Sequence, residues 1–209
     1  MMLVNSFAFG SHSNLLLTFS GANNSNVFVD SSSSNHTITT VGTPIQFDGK
    51  GVFDGGGYIY TDTLPAFTTH DFLITGKLTL TAWPTGFYAP AIFGYDDPVT
   101  VQPISLQIGA SGYGSLYKKL MLVVYTGTNT ENLIWHETDI ALGVEHTFKI
   151  HRDSGVIRLF LDDVEATANI AVGSNSVINN ATRFCVGKGG STLALYEGKV
   201  DELNVALTT

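Results

Sequence analysis

Two stretches of the sequence concentrate aromatic side chains among proline and glycine residues. Candidate sugar-stacking rings in them are Trp83, Phe87, Tyr88 and Tyr95 in the first stretch, and Tyr113 and Tyr117 in the second. Sugars place their C–H faces on such rings and use their hydroxyl groups for hydrogen bonds. The two stretches therefore predict a carbohydrate-binding surface. The alternative is that the rings cap an edge of the core, which is the commoner role of aromatic residues.

A second pattern concerns carboxyl groups. Glu137 and Asp139 are two residues apart in a predicted strand, so they share one face, and a retaining glycosidase needs two carboxyl groups about 5–5.5 Å apart. No third acid continues the pattern, and the alternative is a polar strand edge that enters a turn. No Gly-x-Ser-x-Gly elbow is present for a serine nucleophile. We therefore expect no enzyme.

Composition favours an all-β protein. Of 209 residues only 13% are charged, while 44% are hydrophobic and 22 are glycine, with Ser, Thr and Asn filling much of the remainder. Such a chain makes many strands and turns. The net charge of −8 argues against nucleic acid, which requires clustered Lys and Arg. Cys185 is the sole cysteine, so no internal disulfide forms, and we expect a buried thiol.

The region 143–165 predicts a β-hairpin. Phe148 and Ile150 alternate with polar residues in the first half, as do Ile157, Leu159 and Leu161 in the second. Asp153-Ser154-Gly155 supplies a tight turn between them. A hairpin with one apolar face needs a second layer to cover it. A dozen or so short strands with turn signals between them supply that layer, which predicts two antiparallel sheets packed face to face.

The ends of the chain suggest a short arm before one large domain. Residues 1–13 carry Phe7 and Phe9 among small polar residues, which predicts an arm that anchors the domain to other subunits, and 14–209 form the domain. The alternative is a frayed terminus. The first residues lack a positive segment and a cleavage site, so we expect no signal peptide. No run approaches the roughly 18 apolar residues of a membrane span, so no membrane insertion is expected.

The hairpin and the closing segment Gly198-Lys199-Val200-Asp201-Glu202-Leu203-Asn204-Val205 resemble laminin-G-like, concanavalin A-like jelly-roll domains. The opening run Leu15 to Phe19 and the region from Phe47 to Tyr58 resemble the same family, so the likeness covers about residues 15–207. Glu145, Thr147 and Asp163 depart from the family pattern. The resemblance implies an all-β, two-sheet antiparallel β-sandwich of the concanavalin A-like jelly-roll type, with the closing strand near residues 15–19.

The resemblance also implies a possible cofactor, because members of the family often hold calcium with loop carboxylates and carbonyl groups. The residues expected to hold calcium are Asp30 and Asp201, of which Asp201 matches the acid of the family's closing strand. Asp48, Asp54, Asp96 and Asp97 are further loop carboxylates. The alternative for Asp201, which we favour, is a hydrogen-bonded acid that fixes the sheet.

Domains of this type with one cysteine and loops rich in Ser, Thr and Asn resemble those of bacteriophage structural proteins. The resemblance implies a non-enzymatic virion structural or adhesion protein, such as a head decoration or a tail fibre, made in the host cytoplasm. Its partners would be other virion subunits, copies of itself as a homo-oligomer, and a cell-surface glycan. The first alternative is a carbohydrate-binding module or lectin, and the second is a glycan hydrolase.

Overall fold

The computed structural model describes residues 13–62, 64, 67–96, 103–126, 130–172, 175, 177, 183–189 and 195–208. Within them the chain forms sixteen strands and one short 3-10 helix at Ser111–Leu116. The strands are β1 (Leu15–Leu17), β2 (Thr39–Val41), β3 (Ile45–Phe47), β4 (Lys50–Asp54), β5 (Tyr58–Thr61), β6 (Phe72–Leu80), β7 (Ala91–Asp96), β8 (Ile104–Ile108), β9 (Lys119–Thr126), β10 (Thr130–Asp139), β11 (Glu145–Asp153), β12 (Val156–Leu161), β13 (Val164–Glu165), β14 (Ile170–Ala171), β15 (Arg183–Val186) and β16 (Glu197–Leu207). None of its described helices is long and apolar enough to cross a membrane.

The strands form two antiparallel sheets that pack face to face. The larger sheet has the order β13-β12-β11-β6-β16-β4-β3, with β1 also beside β16 and β14 also beside β12. The smaller sheet has the order β10-β9-β8-β7-β15-β5-β2. This arrangement confirms the predicted two-sheet sandwich of the jelly-roll type. Neighbouring strands are often distant in sequence, since the closing strand β16 lies between β6 and β4.

The predicted hairpin is confirmed as β11 and β12, with Phe148 opposite Leu161 and Ile150 opposite Leu159. Its turn has positive φ at Ser154 (51°) and Gly155 (78°), as a two-residue turn between twisted strands requires. Strand β11 also pairs with β6, so the hairpin lies inside the larger sheet. The closing strand packs against the opening strand as predicted, with Leu15 opposite Val205.

Strict alternation builds the core between the sheets. Strand β6 buries every second residue, including Phe72, Ile74 and Leu78. Gly76 occupies the central inward position, where a Cβ atom would lie 2.7 Å from Cζ of Phe148. The missing side chain therefore makes room for the Phe148 ring. Cys185 is fully buried, as predicted for an inert thiol.

Some local features of the structure were not predicted from the sequence. Residues 45–54 form the hairpin β3–β4, because Asp48 and Gly49 adopt the positive φ of a two-residue turn. The 3-10 helix in the second aromatic stretch was not predicted. Leu195 and Tyr196 directly precede β16, which begins at Glu197.

Candidate functional site

The two aromatic stretches meet at one corner of the sandwich. Residues 81–90 connect β6 to β7, and residues 109–118 connect β8 to β9. The N–H of Gly112 donates to the carbonyl oxygen of Gly86 at 2.9 Å, and the N–H of Gly86 donates to Oγ of Ser111 at 3.1 Å. The N–H of Ser111 also donates to the carbonyl oxygen of Pro84 at 3.3 Å. These bonds hold the two loops together and place their rings on a shared surface.

We call this surface the aromatic corner. It consists of Trp83, Phe87, Tyr88, Tyr113, Tyr117 and Lys118. The close approach of its loops depends on glycine, since a Cβ atom on Gly112 would lie 2.9 Å from the carbonyl oxygen of Gly86 and 3.0 Å from Cδ1 of Phe87. Gly86 itself has a φ of 99°, a backbone conformation that other residues rarely adopt.

Three rings of the aromatic corner face solvent. Phe87 is 83% exposed, Tyr88 is 56% exposed and Tyr113 is 37% exposed. Exposed rings of this size on one surface are typical of a binding site rather than of a core edge. The fold brings together rings that are up to 34 positions apart in sequence, from Trp83 to Tyr117. Residues that the sequence proposed for carbohydrate binding therefore lie near one another in the structure.

Trp83 and Tyr117 form the partly buried half of the aromatic corner. Trp83 packs against the core, and its ring centroid lies 6.0 Å from that of Tyr117 at an interplanar angle of 60°. Nζ of Lys118 lies 4.8 Å from the Trp83 ring centroid and 5.3 Å from that of Tyr117. A cation so placed is attracted by the electron-rich ring faces. Trp83 therefore packs against the core and also contacts the charged Nζ group of Lys118 through its ring.

A cleft of about 120 Å³ opens beside Trp83. Pro84 and Pro90 line it from the first aromatic stretch, and Leu195 and Glu197 line it from the chain that leads into β16. Rigid proline walls, an indole ring and a carboxylate combine apolar contact with a hydrogen-bond acceptor. That combination suits a small polar group with an apolar face, such as one sugar ring.

Tyr95 was wrongly predicted to be part of the binding surface. It lies on β7 in phase with Phe93, is 2% exposed, and packs edge-on against Phe67 and Phe184. Burial raises the pKa of its hydroxyl group far above the usual range. The alternation of Ala91, Phe93 and Tyr95 was the available sequence signal that this ring faces the core.

Asp30 fills a structural role instead of the predicted calcium-binding one. Its Oδ1 accepts hydrogen bonds from the N–H groups of Leu16 and Ser32, both at 2.9 Å, and its Oδ2 accepts from the hydroxyl group of Ser32 and the N–H of His36, both at 2.8 Å. Burial acts to raise the pKa of this carboxyl group, but the hydrogen bonds outweigh it and hold the pKa below its ordinary value. Four donors satisfy a carboxylate completely, which leaves no oxygen lone pair for a metal ion.

Asp201 lies on β16 with Oδ2 3.5 Å from Nζ of Lys77, on the neighbouring strand β6. This contact fits the alternative prediction, an acid that helps fix the sheet. Within the described ranges, no three His, Cys, Asp or Glu side chains come close enough together to hold a metal ion. Binding of calcium by Asp201 stays a prediction.

The carboxyl groups of Glu137 and Asp139 are engaged in contacts that hold the chain. Oε1 of Glu137 accepts a hydrogen bond from the N–H of Thr167 at 2.9 Å, and Oδ1 of Asp139 lies 2.6 Å from Nζ of Lys119. Burial opposes the change, but the bond from Thr167 leaves the pKa of Glu137 below its ordinary value. An ionised Glu137 cannot donate a proton as a general acid at neutral pH.

The predicted anchor residues, Phe7 and Phe9, lie outside the described residues. Lys118 was missed as a functional residue, because positive charge was considered only in relation to nucleic acid. A signal was available: the segments 82–90 and 109–118 contain no other charged residue.

No protein-family model matches the chain, and no curated protein matches its sequence. Among solved structures, it is similar to domain 4 of AbnA, an extracellular GH43 arabinanase from Geobacillus stearothermophilus, in complex with arabinotriose. The TM-score is 0.64 at 19% identity, with 95% of this chain and 94% of that chain covered. The two chains thus match over nearly their whole lengths.

The chain is also similar to the binding domain of botulinum neurotoxin DC in complex with SialylT (TM-score 0.68, 14% identity, 95% of this chain and 48% of that chain). The binding domain of Paraclostridial Mosquitocidal Protein 1 gives a TM-score of 0.68 at 11% identity, with 95% and 49% covered. The chain therefore spans about half the length of these toxin binding domains. At these identities the likeness establishes the shared β-sandwich fold alone.

Proposed function

We propose that the chain is a carbohydrate-binding domain whose ligand lies on the aromatic corner. The observation that carries this proposal is the convergence of two separate aromatic stretches on one solvent-facing surface beside a cleft of about 120 Å³. The rings would stack on the C–H faces of sugar residues, while the Glu197 carboxylate and exposed backbone groups would accept bonds from sugar hydroxyl groups. The similarity to a domain solved with arabinotriose supports the same class of ligand.

The test is glycan binding by the parent and by ring-deletion variants. Tyr88→Ala removes a largely exposed ring, and we expect binding to weaken by roughly two- to tenfold, since aromatic contacts contribute about 0.5–1.5 kcal/mol each. Trp83→Ala should abolish binding, because it removes the platform of Lys118 as well as its own ring face. Glycan-array screening followed by titration calorimetry on each hit measures both effects.

A matched control comes from the β3–β4 hairpin, where Phe47 is 45% exposed and belongs to no part of the aromatic corner. Phe47→Ala should bind like the parent. Equal loss in Phe47→Ala and Tyr88→Ala would assign the effect to general destabilisation and contradict the proposed site.

We further propose that the domain is non-catalytic. The contacts of Glu137 and Asp139 support this proposal, since both carboxylates already pair with protein groups. Incubation with arabinan, β-glucan and other glycans should release no reducing sugar. Release that disappears in Glu137→Gln would overturn the proposal.

A virion structural or adhesion role is the wider setting that we propose for this domain. The low charge and the abundance of Ser, Thr and Asn support it, as these residues are common on virion surfaces. In this setting residues 1–13 would attach the domain to a particle, and the aromatic corner would face a cell-surface glycan. Deletion of residues 1–13 should abolish attachment and leave glycan binding unchanged; attachment that survives the deletion would exclude the anchor.

A further inference from the structure

The aromatic corner carries a single charge. Its two segments, 82–90 and 109–118, contain no Asp, Glu, Arg or His, and no Asn or Gln, so Lys118 is their one charged side chain. The chain as a whole is acidic, with a net charge of −8. A sugar-binding surface for neutral ligands normally depends on acids and amides that bond hydroxyl groups. Here a cation is the one charged group that the two loops supply.

Lys118 is held in position by its backbone. Its φ is 69°, an unfavourable conformation for a lysine. Its N–H donates to the carbonyl oxygen of Gly109 at 3.0 Å, and its own carbonyl oxygen accepts from the N–H of Ile140 at 2.9 Å. Backbone strain of this kind persists where the surroundings over-determine it, and it is concentrated at functional sites. The result is a side chain directed onto the Trp83 ring.

Lys118 differs from Lys50, Lys77 and Lys119 in what its side chain contacts. Lys50, Lys77 and Lys119 each form an ion pair with a carboxylate. Among the ion pairs of the described residues Lys118 takes no part; its recorded contacts are the rings of Trp83 and Tyr117. Its charge is therefore not neutralised by the described part of the protein, and the rings leave its hydrogen-bond donors available to an anion.

We propose that the aromatic corner selects an acidic glycan, a sugar chain that bears carboxylate or sulfate groups. This inference rests on the proposed carbohydrate-binding function and names its ligand class. Nζ of Lys118 donates to the acidic group, while the neighbouring rings stack on the sugar that carries it. The Glu197 side of the cleft accepts hydroxyl groups of an adjoining sugar.

The experiment measures affinity for matched acidic and neutral glycans. The probes are oligogalacturonates and sialic acid oligomers, each beside its neutral methyl ester, and chondroitin sulfate beside a form that is both desulfated and methyl-esterified, since desulfation alone leaves the glucuronate carboxylates charged. We expect at least one acidic probe to bind about tenfold more tightly than its neutral counterpart, as charge-assisted hydrogen bonds allow. The preference should shrink as salt rises from 0.05 to 0.5 M, because ions screen a partly exposed charge.

Lys118→Gln should remove the preference, so that the acidic and neutral forms of each probe bind with equal affinity. The matched control is Lys149→Gln, since Nζ of Lys149 lies 4.0 Å from the centroid of the Phe160 ring on the larger sheet. That variant removes another ring-stacked lysine outside the aromatic corner and should keep the full preference.

The possible outcomes distinguish selectivity for acidic glycans from carbohydrate binding itself. Equal affinity for acidic and neutral glycans, with binding lost in Trp83→Ala, overturns the acidic selectivity and keeps the carbohydrate-binding function. A preference that survives in Lys118→Gln likewise overturns the role of Lys118. Binding to none of the probes overturns the inference, and failure on a full glycan array overturns the function as well. Association with phosphatidylserine vesicles, without binding to any glycan, would assign the exposed rings and Lys118 to a membrane surface instead.

Discussion

Lys118 has a strained backbone conformation, and the cost of this strain can be measured as a difference in the free energy of unfolding between two variants. At a φ of 69° a Cβ atom costs roughly 1–2 kcal/mol, a cost that glycine avoids. Lys118→Gly should therefore unfold with a free energy about 1 kcal/mol higher than Lys118→Ala, as measured by urea denaturation. Both variants lack the charge and should show the same loss of acidic-glycan binding.

That comparison contains its own control, because both substitutions remove the contact with the Trp83 ring. If the glycine variant were no more stable than the alanine variant, the backbone at this position would not be strained. We expect Lys118→Gly to relieve the backbone strain and to lose acidic-glycan binding at the same time. Such a trade of stability for function is common at functional sites.

Asp30 is the residue where a calcium-binding role and a structural role make opposite predictions. Asp30→Ala should lower the free energy of unfolding by about 3 kcal/mol, because it leaves the partly buried N–H groups of Leu16, Ser32 and His36 without their acceptor. Asp30→Asn keeps one oxygen acceptor and should cost less. Both losses should be the same in EDTA and in millimolar calcium, as measured by denaturant unfolding.

Dependence on calcium would be the contrary result for Asp30. If EDTA lowered the stability of the parent to that of Asp30→Ala, the carboxylate would be a metal ligand after all. The control is Asp153→Ala, which removes a carboxylate whose recorded hydrogen bond is to the neighbouring Ser154 and should change stability little.

At the scale of elements, the aromatic corner depends on how closely two loops approach. A Cβ atom on Gly112 would meet the backbone oxygen of Gly86 at 2.9 Å, so Gly112→Ala must push the loops apart. We expect glycan binding to weaken at least tenfold while the melting temperature falls only a few degrees, because the strands of the core are untouched. Ser115→Ala, at an exposed position of the same 3-10 helix, is the matched control and should bind normally.

The strands themselves were predictable because their signals are local. The alternation of Phe148 and Ile150 with polar residues indicated strand β11, and the turn at Asp153-Ser154-Gly155 indicated its pairing with β12. The same rule applied to Phe93 and Tyr95 would have placed Tyr95 in the core. That error came from judging a ring by its neighbourhood in sequence instead of by its phase along the strand.

The site was only partly predictable because its decisive contacts are distant in sequence. Five of the six proposed sugar-stacking rings lie at the aromatic corner, yet no local pattern indicates that Gly86 bonds to Ser111 and Gly112. Those bonds follow from the order of strands in the smaller sheet, where β7 lies beside β8 and β8 beside β9. The position of Lys118 over Trp83 depends on the same long-range pairing. The residue types alone therefore suggested a stacking surface but did not indicate that this surface carries a positive charge.

At the scale of the whole molecule, the two sheets are joined at their edges as well as through the core. Nε2 of His136, on β10 of the smaller sheet, lies 3.2 Å from the carbonyl oxygen of Val164, on β13 of the larger sheet. Nδ1 of His136 accepts a hydrogen bond from the N–H of Thr138 at 3.1 Å, so Nε2 carries the proton that Val164 accepts. Polar contacts of this kind close one side of the sandwich without adding to its apolar core.

Titration of the whole domain should follow from groups whose pKa differs between the folded and unfolded states. Burial lowers the pKa of His151, with smaller effects of nearby charges. The unfolded chain therefore takes up a proton near pH 6.5 more readily than the folded one, and stability falls as the pH drops through that value. The pKa values of Asp54 and Glu145 are also lowered, by hydrogen bonds from Gly56 and from Lys50 respectively. Burial acts to raise the pKa of Asp162, but the hydrogen bonds from His146 and Thr147 together outweigh it and lower that pKa as well.

Each of these carboxylates contributes stability above its unfolded pKa of about 4, and that contribution is lost as the pH falls through the lower folded value. We therefore expect the melting temperature to be highest at and above neutral pH, to decline modestly between about pH 7 and 5, and to fall steeply below about pH 4. Calorimetric melting from pH 3 to 8 measures both phases. His151→Gln should remove the first phase and keep the second, whereas a first phase that persists undiminished in this variant would contradict its assignment to His151.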